Sequence, residues 1–232
     1  MRAERTDVAT RLEAVRARIR AAEERFGRVP GSVILLAVSK KQDTEKIRAA
    51  IASGQVAFGE SYLQEAVEKM DALEPLGARW HFIGRIQGNK TRQIAERFDW
   101  VHSLCSLKHA RRLSEQRPAG RPPLAACIQV NLDAEPGKAG LVPGEVSDFI
   151  AACAGLPGLS LVGLMTLPAP AEGLEAQRRP FRELRRMRDL LATPERPLEV
   201  LSIGMSADLE AAIAEGATLV RVGTAIFGPR EG

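Results

Sequence analysis

Apolar positions along this chain switch between two periods. Over residues 4–26, Val8, Leu12, Val15, Ile19 and Phe26 recur at helical spacing, with Arg and Glu on the outer face. Gly27 and Pro30 end that segment. The next stretch, VILLAVSKKQ at 33–42, is a short continuous apolar run, the signature of a strand buried on both faces. Strand alternation puts Lys40, at its C-terminal end, on the face of Ile34, Leu36 and Val38, and Lys41 on the other. Asp43 and Thr44 then open a helix over 43–53.

The same alternation continues to the end of the chain. It predicts strands at 55–58, 80–83, 100–104, 124–131, 159–166, 198–203 and 218–222. Between them it predicts helices at 62–70, 87–98, 106–116, 143–154, 179–192 and 206–216, with TAIFG opening a short last turn. Eight strands alternating with helices fit a single (β/α)8 TIM barrel, the 4–26 helix being an addition outside it. A doubly wound open sheet is the alternative, but it rarely needs eight such regular units. Nothing resembles an interdomain linker, so residues 1–232 are expected to form one domain.

Composition narrows the class. With 232 residues, 45% of them hydrophobic, the chain can bury a full α/β core. A net charge of +4, from 33 basic and 29 acidic residues, neither demands nor excludes a nucleic-acid surface. Cys105, Cys127 and Cys153 are odd in number and lack metal-ligand spacing, which suits reduced thiols in a cytosolic protein and no metal site. The charged N-terminal stretch has no apolar signal region, and no apolar run approaches the roughly 20 residues that span a bilayer. A cytoplasmic protein without membrane contact is the expectation.

Parallel strands place chemistry at their C-terminal ends, and Lys40 sits at such an end. An amine at the rim of an apolar core is poised for imine chemistry, although read alone Lys40 is more readily a solvated strand-end lysine. The last two strand-to-helix loops change that balance. The first, Ser202-Ile203-Gly204-Met205-Ser206, runs into a helix that Ser206 would cap, an arrangement suited to phosphate. In the second, Arg221-Val222-Gly223-Thr224, Gly223 permits close backbone approach and Thr224 adds a hydroxyl. TIM barrels commonly build phosphate sites from these two loops. A reactive lysine opposite a phosphate cradle suits a phosphorylated aldehyde, pyridoxal 5′-phosphate (PLP) foremost. If the Arg221 guanidinium meets the pyridine nitrogen, that nitrogen stays unprotonated and the ring becomes a poorer electron sink. The bland account of Arg221 is a structural arginine paired with a carboxylate.

Several stretches then carry a family resemblance: LLAVSK ending at Lys40, FGESYLQE at 58–65, HFIGRIQGNK at 81–90, VHSL at 101–104, VNLDAEPGKAGL at 130–141, GLMTLP at 163–168, LSIGMSADLEAAI at 201–213 and VRVGTAIFG at 220–228. In order and spacing this resembles the YggS/PROSC family of PLP-binding, PLP-homeostasis proteins, itself similar to the N-terminal barrel of alanine racemase. The resemblance implies a Schiff base between PLP and Lys40, and a phosphate cup of Ser206, Gly223 and Thr224. It also implies Arg221 facing the pyridine nitrogen, with Met165 and Ile203 as apolar neighbours of the cofactor. Ser61 stands where the family commonly has Asn, which puts a side-chain contact from that position in doubt. Cys105 replaces a common acidic residue. Lys138 matches a lysine frequent in the family and is read as a solvated loop residue.

Other candidates have plainer readings. His81 and His102 lie in strands without a nucleophile beside them and read as satisfied buried histidines. Arginines 178, 179, 182, 185, 186 and 188 read as the solvated face of a helix rather than an RNA-binding surface. The first functional expectation is therefore a PLP carrier, holding the cofactor on Lys40 and releasing it to the pool or to apo-enzymes, with little or no turnover. The resemblance to racemases makes a fold-type III amino-acid racemase the alternative. That chemistry needs a second acid/base, which the racemases take from a tyrosine of another domain; the single tyrosine, Tyr62, is not placed for it. Without that second domain a monomer is expected. A PLP-free Schiff-base aldolase acting on a sugar phosphate is the reading from another class.

Overall fold

The computed structural model describes residues 2–135 and 137–229, excepting the side chains of residues 2–6. Pro136, inside the 130–141 stretch, and the outer ends of the 1–232 range lie outside the described residues. Eight parallel strands close into a barrel in sequential order: β1 Ile34–Val38, β2 Ala57–Glu60, β3 Arg79–Phe82, β4 Trp100–Leu104, β5 Leu124–Gln129, β6 Leu159–Met165, β7 Val200–Ser202 and β8 Leu219–Val222. The crossover helices are α2 Thr44–Ala52, α3 Leu63–Leu73, α4 Thr91–Arg97, α5 Leu107–Glu115, α6 Val146–Cys153, α7 Leu174–Leu191 and α8 Leu209–Ala214. A helix α1, Arg2–Arg25, precedes the barrel, and a single turn α9, Thr224–Phe227, follows β8. Closure comes from β1 pairing with β8, with Leu36 opposite Arg221.

Apolar burial divides into two layers. The larger lies between strands and helices: Leu35, Ala37, Phe58, Trp80, Phe82, Val101 and Leu201 point outward against helix residues such as Ile47, Met70, Ile94 and Leu184. Inside the barrel the apolar cluster is small, Leu36, Ala57 and Leu219 with Ile83 against it. Polar residues fill much of the remainder. The helix α1 buries Val8, Leu12, Val15 and Ile19, as its periodicity requires. Its Glu23 is fully enclosed and accepts the backbone N–H groups of Gly31 (3.0 Å) and Val33 (2.9 Å), tying α1 to the entrance of β1.

Four local expectations need correction. The second strand is Ala57–Glu60 rather than 55–58, because Gln55 turns its amide inward to the carbonyls of Leu35 and Ala57. Helix α4 starts at Thr91, residues 87–90 forming a turn. Helix α7 starts at Leu174 rather than at 179 and carries Pro180 inside it. Ser206 does not cap α8: Asp208 occupies the N-cap, and its Oδ1 accepts the Met205 N–H, leaving Ser206 in the preceding turn. The arginines of α7 are also more than a solvated face. Those at 178, 182 and 185 converge on Glu215, a fully buried carboxylate after α8. Among the described residues no helix is long and apolar enough to cross a membrane, and no cluster of side chains suits a metal ion.

Candidate functional site

The C-terminal ends of the strands open onto a cavity of about 320 Å³. Six of the eight expected site residues line it. Lys40 arrives from the turn after β1, Met165 from the end of β6, Ser206 from the loop after β7, and Arg221, Gly223 and Thr224 from β8 and its exit. Parity explains the convergence: Leu36, Val38 and Lys40 alternate toward the barrel axis, as do Leu219, Arg221 and Gly223. Because Leu36 pairs with Arg221, Val38 and Gly223 meet one level higher. A Cβ at Gly223 would stand 3.0 Å from the Val38 carbonyl oxygen, so glycine keeps this wall of the cavity open. Gly204, at φ +91°, lets the β7 loop turn in the left-handed region where a side chain would strike Ala212.

Arg221 is buried within the barrel. Its Nη1 donates to the carbonyl and the hydroxyl (2.7 Å) of Ser202, and its Nη2 to the Thr166 carbonyl (3.1 Å). Those partners are neutral, so the structural account with a paired carboxylate does not describe it. Burial pushes the guanidinium down to about 10, with the Asp208 carboxylate opposing the shift. At neutral pH it remains a cation with little solvent, an electrostatic demand for an anionic or electron-rich ligand.

The hydrogen bonds continue downward. Ser202 Oγ lies 2.8 Å from His102 Nδ1, and His102 Nε2 lies 2.9 Å from His81 Nδ1. Arginine can only donate, which leaves the Ser202 hydroxyl proton for His102 Nδ1. His102 then donates from Nε2 to His81 Nδ1, and both rings are neutral. Desolvation holds His81 at about 3 and His102 well below its ordinary value. His81 stacks on Trp100 at 5.2 Å, toward the opposite mouth of the barrel.

Two expected residues stand apart. Ile203 is fully buried in the outer layer, as its parity next to the inward Ser202 demands, and is not among the residues lining the cavity. Ser61 presents its carbonyl to Gly84, so closely that a Cβ there would fall 2.1 Å from the oxygen, and it too lies off the cavity lining. Lys138 pairs with Asp133 (3.6 Å) and Glu135 (3.4 Å) of its own loop. Tyr62 precedes α3 and is half exposed. Cys105 is half buried, with its thiol pushed up by desolvation. Sequence reasoning did not single out Ile83, Leu167 and Met205 as walls of the cavity, nor place His102 in its floor. Strand parity supplies the signal for His102, which alternates inward between the outward Val101 and the end of β4.

Comparison with known proteins places this geometry. The family model for the alanine racemase N-terminal domain matches residues 10–231. The pyridoxal phosphate homeostasis protein of Pseudomonas aeruginosa is 51% identical over 224 residues, covering 97% of this chain and 96% of its own. The protein of that name from Escherichia coli K12 is 46% identical over 228 residues, with 97% of each chain covered. Among solved structures, PipY of Synechococcus elongatus PCC7942 with PLP bound superposes with a TM-score of 0.84 at 35% identity, over 95% of this chain and all of its own. The alanine racemase of Corynebacterium glutamicum, at 19% identity and a TM-score of 0.64, shares the fold over 62% of its length. The chain belongs to the pyridoxal phosphate homeostasis proteins, within the alanine racemase N-terminal-domain family.

Proposed function

We propose that this chain binds PLP in the cavity at the C-terminal mouth of the barrel, linked through Lys40, and acts in intracellular PLP homeostasis. It holds the cofactor and releases it to the pool or to apo-enzymes, as a cytoplasmic monomer with little or no turnover. The observation that carries the reading is the pairing, in one cavity, of an inward lysine with a buried arginine whose direct partners are all neutral. The residues fit the ligand: the glycine wall at 223 and the hydroxyls of Ser206 and Thr224 leave room and donors for a phosphate, and Met165 supplies an apolar contact.

When bound, PLP would supply an aldehyde able to condense with a primary amine, with loss of one water. The chain's own residues do the rest. Lys40 provides the amine. Arg221, fixed by Ser202 and Thr166, has donors and no acceptor, so it would hold a ring nitrogen without protonating it. The amino-acid racemase reading needs a second acid/base, and Tyr62, the single tyrosine, does not line the cavity. The test compares wild type and Lys40→Ala by visible spectrum, borohydride labelling with peptide mapping, and PLP transfer to an apo-enzyme. Wild type should carry a borohydride-stable label on Lys40 and reconstitute the apo-enzyme, and the variant should do neither. A full wild-type spectrum in Lys40→Ala would sink the assignment. Sustained loss of optical rotation from an amino acid, well above that with free PLP, would establish the racemase instead.

A further inference from the structure

Directly behind Lys40, on the outer side of the sheet and beneath α3, three charged side chains are packed where the surrounding core is apolar. Lys69 is 5% exposed, and Glu60, at the end of β2, is fully enclosed. The Lys69 ammonium donates to Glu60 Oε1 (2.8 Å), to Glu65 Oε1 (2.5 Å) and to the backbone carbonyl of Ser39 (2.7 Å). Glu60 Oε1 also accepts the Ser39 hydroxyl at 2.7 Å, and Glu65 Oε1 accepts the Lys41 N–H at 2.5 Å. Both chain neighbours of Lys40 are thereby tied to one ion cluster, Ser39 by hydroxyl and carbonyl and Lys41 by its amide. Lys41 needs such a hold, since its φ of +57° lies in the left-handed region that a lysine rarely adopts.

The cluster is an expensive way to fill that space. Burial raises the Glu60 carboxyl, even with Lys69 and Ser39 opposing the shift, and Glu60 Oε2 has no hydrogen-bond partner among the described residues. A buried ion pair of this kind contributes less to stability than a well-packed apolar substitute, so its bonds to the backbone on either side of Lys40 call for another account. We propose that Glu60, Glu65 and Lys69 are positioning residues for Lys40. Their cluster clamps the Ser39–Lys41 turn so that the Lys40 amine is delivered into the cavity at a fixed height and angle. The proposal rests on the reading that Lys40 carries the covalent linkage.

The test separates capture of the aldehyde from binding of the rest of the ligand. Pyridoxine 5′-phosphate has the ring and phosphate of PLP with an alcohol in place of the aldehyde, so it reports binding that owes nothing to the amine. In Glu65→Ala, affinity for PLP should fall about tenfold, as for loss of a charge-assisted hydrogen bond. Affinity for pyridoxine 5′-phosphate should stay within about twofold of wild type by the same yardstick. Glu65→Gln, whose side-chain oxygen still accepts the Lys41 N–H, should restore most of the PLP affinity. Lys69→Met should lose more than Glu65→Ala; should that variant not fold, the two substitutions at the half-buried Glu65 carry the test. Unchanged PLP affinity in Glu65→Ala, or equal weakening of both ligands, would overturn the clamp and leave Lys40 in place. Absence of a borohydride label on Lys40 in wild type would overturn the underlying reading and the clamp with it.

Discussion

Arg221 is a cation that the barrel interior strips of water and surrounds with two carbonyls and a hydroxyl. Its planar fork spans Ser202 on β7 and Thr166 after β6, contacts that a single ammonium cannot reproduce together. Arg221→Lys keeps the charge and loses the geometry. It should lower unfolding stability by about 1–3 kcal/mol, as expected when buried polar groups lose a partner. It should also weaken PLP binding by about tenfold or more, by the usual conversion of a lost charge-assisted contact. Denaturant titration of the apo protein and a spectral PLP titration read the two effects separately. Wild-type behaviour in both would mean that the positive charge alone matters at this position.

At the scale of elements, α1 does more than cover the barrel. Arg18 grips both carboxylate oxygens of Glu210 (2.9 and 3.0 Å) and donates to the Ser206 carbonyl at 3.1 Å, linking α1 to the loop proposed to hold phosphate. Half-exposed pairs of this kind add little to stability, within about 1 kcal/mol. Arg18→Ala should therefore leave the unfolding midpoint nearly unchanged while weakening PLP binding about threefold, a shift of well under 1.4 kcal/mol. Pyridoxal, which lacks the phosphate, should bind the variant as it binds wild type. Equal loss for both ligands would place the effect outside the phosphate loop.

These contacts also mark what could and could not be read before the fold was known. Apolar runs marked all eight strands, the second of them two residues early, because most strand residues are buried, and their order followed from the alternation with helices. Lys40, Arg221 and Gly223 could be aimed inward because runs of alternating residues lead up to them. Ile203 could not, because β7 is only three residues long and its parity is set by Ser202 facing inward. The Glu60–Lys69 cluster was equally hidden. Glu65 and Lys69 stand four apart on α3, the spacing of an ordinary surface pair, and only the packing of α3 against Glu60 at the end of β2, beside β1, turns that pair inward.

Across the whole molecule, the polar column from Arg221 through Ser202 and His102 to His81 runs through the barrel where a TIM barrel ordinarily stacks aliphatic side chains. It links the cavity near Lys40 to the second opening, about 530 Å³, that His81 and Trp100 line on the opposite face. Each link has a fixed polarity set by the permanent charge of Arg221, so the column tolerates neutral histidines only. The consequence for stability follows in sign. The unfolded chain takes up a proton on His81 as pH falls through 6.5, while the folded chain resists until about 3. The unfolded state therefore binds more protons across that window, and stability declines as pH is lowered within it. At pH 5, His81 alone accounts for a loss of about 2 kcal/mol relative to pH 7.5. His81→Asn retains an acceptor for the His102 Nε2–H but cannot titrate. Although less stable at pH 7.5 through lost stacking on Trp100, it should lose less stability than wild type between pH 7.5 and 5. Denaturant unfolding of the two apo proteins at both pH values measures the difference, and parallel losses would show that protonation elsewhere governs the acid sensitivity of the barrel.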